Sequence, residues 1–281
     1  MIILGSAQFG SEYAGSKKKY LTEDLSDILK LANENNVTEI DTAMDYGSAE
    51  LNLGRADCSK FKINTKLPKN ISLGISSAED LINKSLDRLK HQRLNILFIH
   101  SVKNFLNASN AEKIYDDILA CIEKKLVSKI GISVYSTEEI LAFRQKFECD
   151  VVQGPFNYFD DRLLQFSKQN GSCNFDVQYR SIFLQGTLLR KSLRAGLPFQ
   201  KQFKEFDQAV RGSEYSSNLE FCLKYFRSAI KDGNPVIGVT SLQELSQIFD
   251  ILRAENDFPI KRNIFSKNNF YLVSPYSWVR S

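Results

Sequence analysis

Short apolar runs alternate with longer amphipathic segments along this chain, and the alternation recurs eight times. The apolar runs are Ile2–Ala7, Glu39–Thr42, Lys62–Leu67, Ile96–Ser101, Lys129–Val134, Val151–Phe156, Asp176–Ile182 and Pro235–Val239. Several are apolar throughout rather than alternating in polarity, as parallel strands covered on both faces require. Between them, Thr22–Asn35, Ser77–Lys90, Glu112–Lys125, Ser136–Phe147, Asn218–Lys231 and Leu242–Leu252 carry apolar residues at helical spacing. Ser136-Thr137-Glu138-Glu139 opens one of them in the manner of a capping box. Eight strands interleaved with helices predict an α/β fold, a closed TIM (β/α)8 barrel forming a single domain over residues 1–281. The rival is an open doubly wound sheet. No Gly-x-Gly-x-x-Gly follows any strand, which weakens the dinucleotide-binding form of that rival.

Composition narrows the class further. With 281 residues, 43% hydrophobic and 25% charged, the chain has the make-up of an ordinary globular domain. A net charge of +4, from 37 basic against 33 acidic residues, is small and dispersed and argues neither for nor against nucleic acid; no nucleic-acid partner is expected. No apolar stretch reaches the roughly 20 residues a membrane span needs, so no membrane partner is expected either. MIILGSAQFG lacks a basic leader region and reads as a first strand, not a signal peptide. The five cysteines are scattered without a Cys-x-x-Cys pair, which suits reduced thiols in a cytoplasmic protein and offers no metal site. Nothing in the sequence sets the oligomeric state.

In a parallel barrel, chemistry gathers at the carboxyl ends of the strands. Asp41 ends the second apolar run, Lys66 lies near the end of the third and His100 near the end of the fourth, with Tyr46 on the loop after Asp41. Each alone reads as a surface charge, a half-buried histidine or a rim aromatic; together at equivalent depth they suggest one site. A phenol titrates near 10, too high to exchange a proton readily at neutral pH, and a neighbouring ammonium lowers that value. A carboxylate paired with the lysine keeps it charged and gives Asp41 a reason to be buried. The set is a proton donor aimed at a carbonyl oxygen, with His100 to orient the substrate. The matching hydride has no side-chain source, which implies a nicotinamide cofactor.

These residues also carry a family resemblance. "IDTAMDYGSAEL" resembles the aldo-keto reductase signature Asp-Thr-Ala-x-x-Tyr-Gly, and "TKL" and "FIH" stand where that family has its lysine and histidine. "GISVYS", "VVQGPFNYFD", "RSIFLQGTLL" and "VIGVTSLQEL" resemble later segments, so the likeness spans nearly the whole chain. It implies a TIM barrel, an extended nicotinamide cofactor, and a catalytic tetrad of Tyr46 (proton donor), Lys66 (pKa modulator), Asp41 (lysine partner) and His100 (carbonyl orienter). It implies cofactor contacts from Gly5, Ser6, Ser133, Gln153, Arg180, Ser181, Phe183, Gln185, Gly238, Thr240, Ser241 and Glu244. The chain departs from the family pattern at Val134, where an asparagine is usual, at Arg180, where an aromatic stacks, and at Glu244, where NADP-preferring members carry a cation. NADP is the expected cofactor, with NAD as its rival because a carboxylate suits a ribose hydroxyl. The implied activity is NAD(P)H-dependent reduction of a small aldehyde or ketone, a sugar or sugar derivative among them. The alternatives are a cofactor-binding sensor or interaction subunit with little turnover, and a barrel isomerase using Lys66 as a Schiff base.

Weaker signals remain. The basic loop 15–20 suggests an anionic substrate, and Phe9, Tyr13, Phe105, Tyr158 and Trp278 are candidate pocket walls. Lys261 and Arg262 are further cations. Residues 190–217 are expected to form short helices that move over the cofactor as a lid.

Overall fold

The computed structural model describes residues 2–10, 22–71, 77–169, 174–255, 260, 270–274 and 278. The strands β1 (Ile3–Gly5), β2 (Glu39–Asp41), β3 (Lys62–Lys66), β4 (Leu94–Ile99), β5 (Val127–Ser133), β6 (Val151–Pro155), β7 (Asp176–Arg180) and β8 (Asn234–Gly238) form a closed barrel in sequence order. Every neighbouring pair is parallel, and β8 closes on β1 through Ile3↔Val236, Leu4↔Ile237 and Gly5↔Gly238. The open sheet is thereby excluded. Ten helices among the described residues surround the barrel: α1 (Thr22–Glu34), α2 (Ala49–Arg55), α3 (Ala78–Leu89), α4 (Val102–Leu106), α5 (Ala111–Glu123), α6 (Thr137–Arg144), α7 (Arg162–Gln169), α8 (Gln200–Arg211), α9 (Asn218–Ala229) and α10 (Leu242–Arg253).

The strands β1, β2, β3, β6 and β7 are shorter than the apolar runs. The first run ends in a 3-10 turn, Ala7–Phe9, rather than extended chain. β4 and β5 begin two residues earlier than hydrophobicity alone suggests, because Leu94 pairs with Val127 across the ladder. The predicted capping box forms: the Ser136 amide donates to Glu139 Oε2 at 3.2 Å.

The apolar residues divide between two compartments. The larger lies between the strands and the helices and is one continuous cluster. The smaller, Ile96, Phe98 and Val151, fills the inside of the barrel. Phe98 fits there because β5 carries Gly131 opposite it: a Cβ at 131 would stand 2.3 Å from the Phe98 ring. Above this plug the barrel interior turns polar.

One buried carboxylate ties down the helix that follows Tyr46. Glu50, near the start of α2, accepts from Thr65 Oγ1 and Ser85 Oγ at 2.7 Å each and from Arg88 at 2.5 and 2.8 Å. This joins α2 to β3 and α3. From the other side, Gly10 lets the β1 loop close on the Tyr46 loop. A Cβ there would lie 2.0 Å from the Tyr46 carbonyl oxygen, and the Ser48 amide donates to the Gly10 carbonyl at 3.2 Å.

Segment 190–217 holds a 3-10 turn, Lys191–Arg194, and the twelve-residue α8, a longer helix than expected. It packs against the rest of the protein. Phe203 and Phe206 are buried, and the buried Arg194 donates to the carbonyls of Thr187 and Leu188 and to Asp207. No helix among the described residues is long and apolar enough to cross a membrane.

Candidate active site

Asp41 and Lys66 are the last residues of β2 and β3, and His100 follows β4 directly, so consecutive parallel strands deliver all three to the same barrel end. Lys66 Nζ donates to Asp41 Oδ2 at 2.5 Å and to the Thr42 carbonyl at 2.8 Å. Both side chains are almost wholly buried, at 1% and 5% exposure. Burial lowers the Lys66 pKa and the Asp41 carboxylate opposes that shift. Tyr46 lies over this pair, its ring centroid 5.2 Å from Lys66 Nζ, and its ring meets that of His100 edge-on at 5.9 Å. The four residues converge.

The phenol departs from the simplest electrostatic expectation. Its pKa is raised, first by burial and then by Asp41, and the cation that acts most against this is Arg180 rather than Lys66. A raised pKa keeps the hydroxyl protonated and able to donate. Burial likewise pushes the His100 imidazole down to about 4, so it is neutral at pH 7.

A cavity of about 460 Å³ runs from this cluster along the β1, β7 and β8 ends. Gly5, Ser6, Ser133, Arg180, Ser181, Phe183, Gln185, Gly238, Thr240 and Glu244 all line it. Ser181, Leu184 and Gln185 take left-handed backbone angles, φ 61°, 45° and 52°, in the β7 loop that forms one wall. Non-glycine residues rarely adopt this conformation, and each costs on the order of 1–3 kcal/mol, a strain typical of ligand-holding loops. Arg180 stacks on Tyr135, its guanidinium carbon 4.2 Å from the ring centroid, and donates to the Val134 carbonyl at 2.8 Å. Val134 thus takes part through its backbone.

Two residues of the expected cofactor set are not among those lining the cavity. Gln153 is fully buried beneath the cluster, where its Nε2 donates to Asp41 Oδ1 at 2.8 Å and Gln178 Oε1 at 3.1 Å. It braces Asp41 through Nε2, while its Oε1 is buried without a hydrogen-bond partner. Ser241 caps α10, its hydroxyl accepting from the Glu244 amide at 3.1 Å. Glu244 itself accepts from the Thr240 amide at 2.7 Å and from Arg190 at 3.3 Å, at the far end of the cavity.

The aromatic pocket walls need correction. Phe9 and Phe105 are core residues, and Tyr158 packs against Phe206, Phe221 and Tyr225. Trp278 packs on Phe199 and donates to the carbonyls of Tyr271 and Leu272. Each of these rings satisfies itself against the protein. Tyr13, the basic loop 15–20, Lys261 and Arg262 lie outside the described residues.

Sequence reasoning passed over Gln8, Asp45, Lys69, Tyr135 and Arg190. Asp45 was legible in principle, as a second carboxylate beside Tyr46 on the same short loop. A second lobe of about 870 Å³ opens past His100 and Tyr135 and is lined by Ser101, Ser133, Ser136, Thr137, Lys69 and Lys103, among others. Among the described residues no group of three or more His, Cys, Asp or Glu side chains is placed to hold a metal.

A parallel (β/α)8 barrel with its reactive side chains at the strand carboxyl ends defines a barrel enzyme. The chain belongs to the aldo/keto reductase family, whose sequence model matches residues 1–260. It is thus an NAD(P)-dependent oxidoreductase. It is 22% identical over 285 residues to D-arabinose 1-dehydrogenase of Saccharomyces cerevisiae, covering 89% of this chain and 82% of the relative. Its fold is shared with aldo-keto reductase AKR11C1 from Bacillus halodurans in its holo form, at TM-score 0.72 and 12% identity, covering 100% of this chain and 92% of that one. The Bombyx mori aldo-keto reductase AKR2E4, solved in complex with NADP, superposes at TM-score 0.65 and 15% identity, covering 98% and 87%.

The cavity suits a nicotinamide dinucleotide. Two residues on its wall, Ser6 and Gln8, have buried side-chain oxygens without hydrogen-bond partners, Ser6 Oγ and Gln8 Oε1.

Proposed function

We propose that this protein reduces the carbonyl of a small aldehyde or ketone, a sugar or sugar derivative in particular, with Tyr46 as proton donor. The observation that carries the reading is the convergence of Tyr46, the buried Lys66–Asp41 pair and His100 on one cavity of about 460 Å³. The bound cofactor supplies the hydride. Tyr46, kept protonated by burial, gives its proton to the carbonyl oxygen as negative charge develops there. Lys66 and Arg180 then face the phenolate and stabilise it. Asp41, gripped by Gln153 on its other oxygen, holds the ammonium in place. The second lobe, where Ser101, Ser136 and Thr137 stand beside Lys69, Lys103, Glu138, Glu139 and Arg162, favours a polar, hydroxylated substrate, in line with the sugar named for the yeast relative.

NADP is the proposed cofactor. Arg190, about half exposed at the far end of the cavity, supplies a cation for the 2′-phosphate. Glu244 supports the second reading, NAD, because its carboxylate repels a phosphate and accepts from a ribose hydroxyl. Titration with NADPH and with NADH, followed by intrinsic fluorescence, separates them, and binding of neither sinks both. Tyr46→Phe is expected to abolish turnover, with cofactor affinity nearly unchanged. Near-full activity in that variant refutes the proton-donor role, and the same protein would then fit a cofactor-binding sensor.

A further inference from the structure

The charges lining the second lobe divide by strand. Lys69, on the loop after β3, and Lys103, on α4 after β4, come with His100 and Ser101; Glu138 and Glu139 come from the start of α6, after β5. The carboxylates are engaged. Glu139 accepts from the Tyr135 and Ser136 amides at 2.6 and 3.2 Å, and Ser136 beside Glu138 holds that carboxyl below its usual range. Asp45 Oδ2 accepts from the Lys69 amide at 2.7 Å and stands 3.5 Å from His100 Nδ1. The third cation, Arg162, pairs with Asp160 at 2.8 Å. Lys69 and Lys103 differ: among the described residues neither ammonium has an ion pair or a hydrogen bond. The chain that carries them is nevertheless fixed. The Lys69 amide donates to Asp45, and its carbonyl accepts from Asn104 Nδ2 at 3.0 Å, which also donates to Asn70 Oδ1 at 2.9 Å. Asn104 follows Lys103 on α4, so these bonds hold the two lysine-bearing segments together. Lys69 lines both lobes, and its charge reaches the reacting end, where with burial and Lys66 it holds the His100 imidazole down.

We infer that Lys69 and Lys103 form an anion subsite in the second lobe, and that the carbonyl compound reduced here carries a carboxylate or phosphate held there while its carbonyl lies at Tyr46. Two cations without counter-charges in one cleft attract an anion. A carboxylate or phosphate has an oxygen for each ammonium, and such charge-assisted bonds are stronger than neutral ones. Neither lysine needs to touch the reacting atoms; together they choose the substrate. The substrate class rests on the carbonyl-reductase reading; the anion subsite does not.

Paired substrates test the class. At low ionic strength succinic semialdehyde should exceed butanal, or glyceraldehyde 3-phosphate should exceed glyceraldehyde, by about tenfold or more in kcat/KM. The pair with the larger ratio tells whether carboxylate or phosphate is the group held. Salt at about 0.5 M should lower that ratio through screening. The double variant Lys69→Gln, Lys103→Gln should bring it close to one, and Lys69→Arg, Lys103→Arg, which keeps both charges, should retain most of it. Ratios near one for both pairs in the parent overturn the substrate class, as does a ratio that the glutamine variant leaves unmoved. Calorimetric titration with succinate and with inorganic phosphate reads the subsite without turnover. At least one of the two should bind the parent, and about tenfold more weakly the glutamine variant. Binding of neither anion to the parent, or equal binding to parent and glutamine variant, overturns the subsite. If no carbonyl compound is turned over with either cofactor, the substrate class falls with the reductase reading, and the titration still decides the subsite.

Discussion

Replacing Lys66 by methionine should cost the fold about 3–5 kcal/mol, the usual penalty for leaving one member of a buried ion pair without its partner. The structure sets the terms. The two side chains are 1% and 5% exposed, so water cannot take over from the lost ammonium. Asp41 would keep a bond from Gln153 on Oδ1 but lose its donor on Oδ2, and the Thr42 carbonyl would lose a donor as well. Methionine nearly fills the lysine's volume, so little of the loss comes from a cavity. Adding Asp41→Leu removes the stranded charge, and the double variant should recover most of the stability, because a well-packed apolar pair often matches a buried salt bridge. Urea unfolding followed by circular dichroism and tryptophan fluorescence measures both differences. A Lys66→Met protein within about 0.5 kcal/mol of the parent, or a double variant no more stable than the single one, refutes the reasoning. Neither variant should turn over substrate, so the pair is held for chemistry and not for stability.

Gly131→Ala should destabilise by about 1–3 kcal/mol, since its methyl would lie 2.3 Å from the Phe98 ring in a filled barrel; unfolding midpoints measure this, and no change would mean the plug is looser than described. His100 gives a pH signature. Its folded-state pKa of about 4 lies below the ordinary 6.5, so between those values the unfolded chain binds a proton that the folded chain does not. Stability should therefore fall as pH drops from 6.5 to 4, by up to about 3 kcal/mol from this group. His100→Asn should flatten the profile by that amount, and parallel profiles for variant and parent would show that His100 is not held neutral.

The barrel and the four clustered residues were readable because they depend on local pattern. Continuous apolar runs mark strands buried on both faces. The end of each run marks the depth at which polar residues such as Asp41, Lys66 and His100 are tolerated. Residues whose roles come from partners far along the chain were not readable in this way. Gln153 resembles a cofactor ligand in sequence, and nothing local shows that its Nε2 also braces Asp41, 112 positions away. Phe9, Phe105 and Tyr158 are aromatic residues near loops, and nothing local tells a pocket wall from a packed ring.

The sequence by itself determined the fold class, the strand order and the depth of the reactive side chains, because periodicity and strand length are properties of short segments. Only the tertiary structure decided which rings and cations surround Tyr46, which residue braces Asp41 and which carboxylate faces His100. Those outcomes are set by distances of a few ångströms between strands and loops far apart in the chain. Electrostatic interaction and the cost of burial both change steeply over such distances.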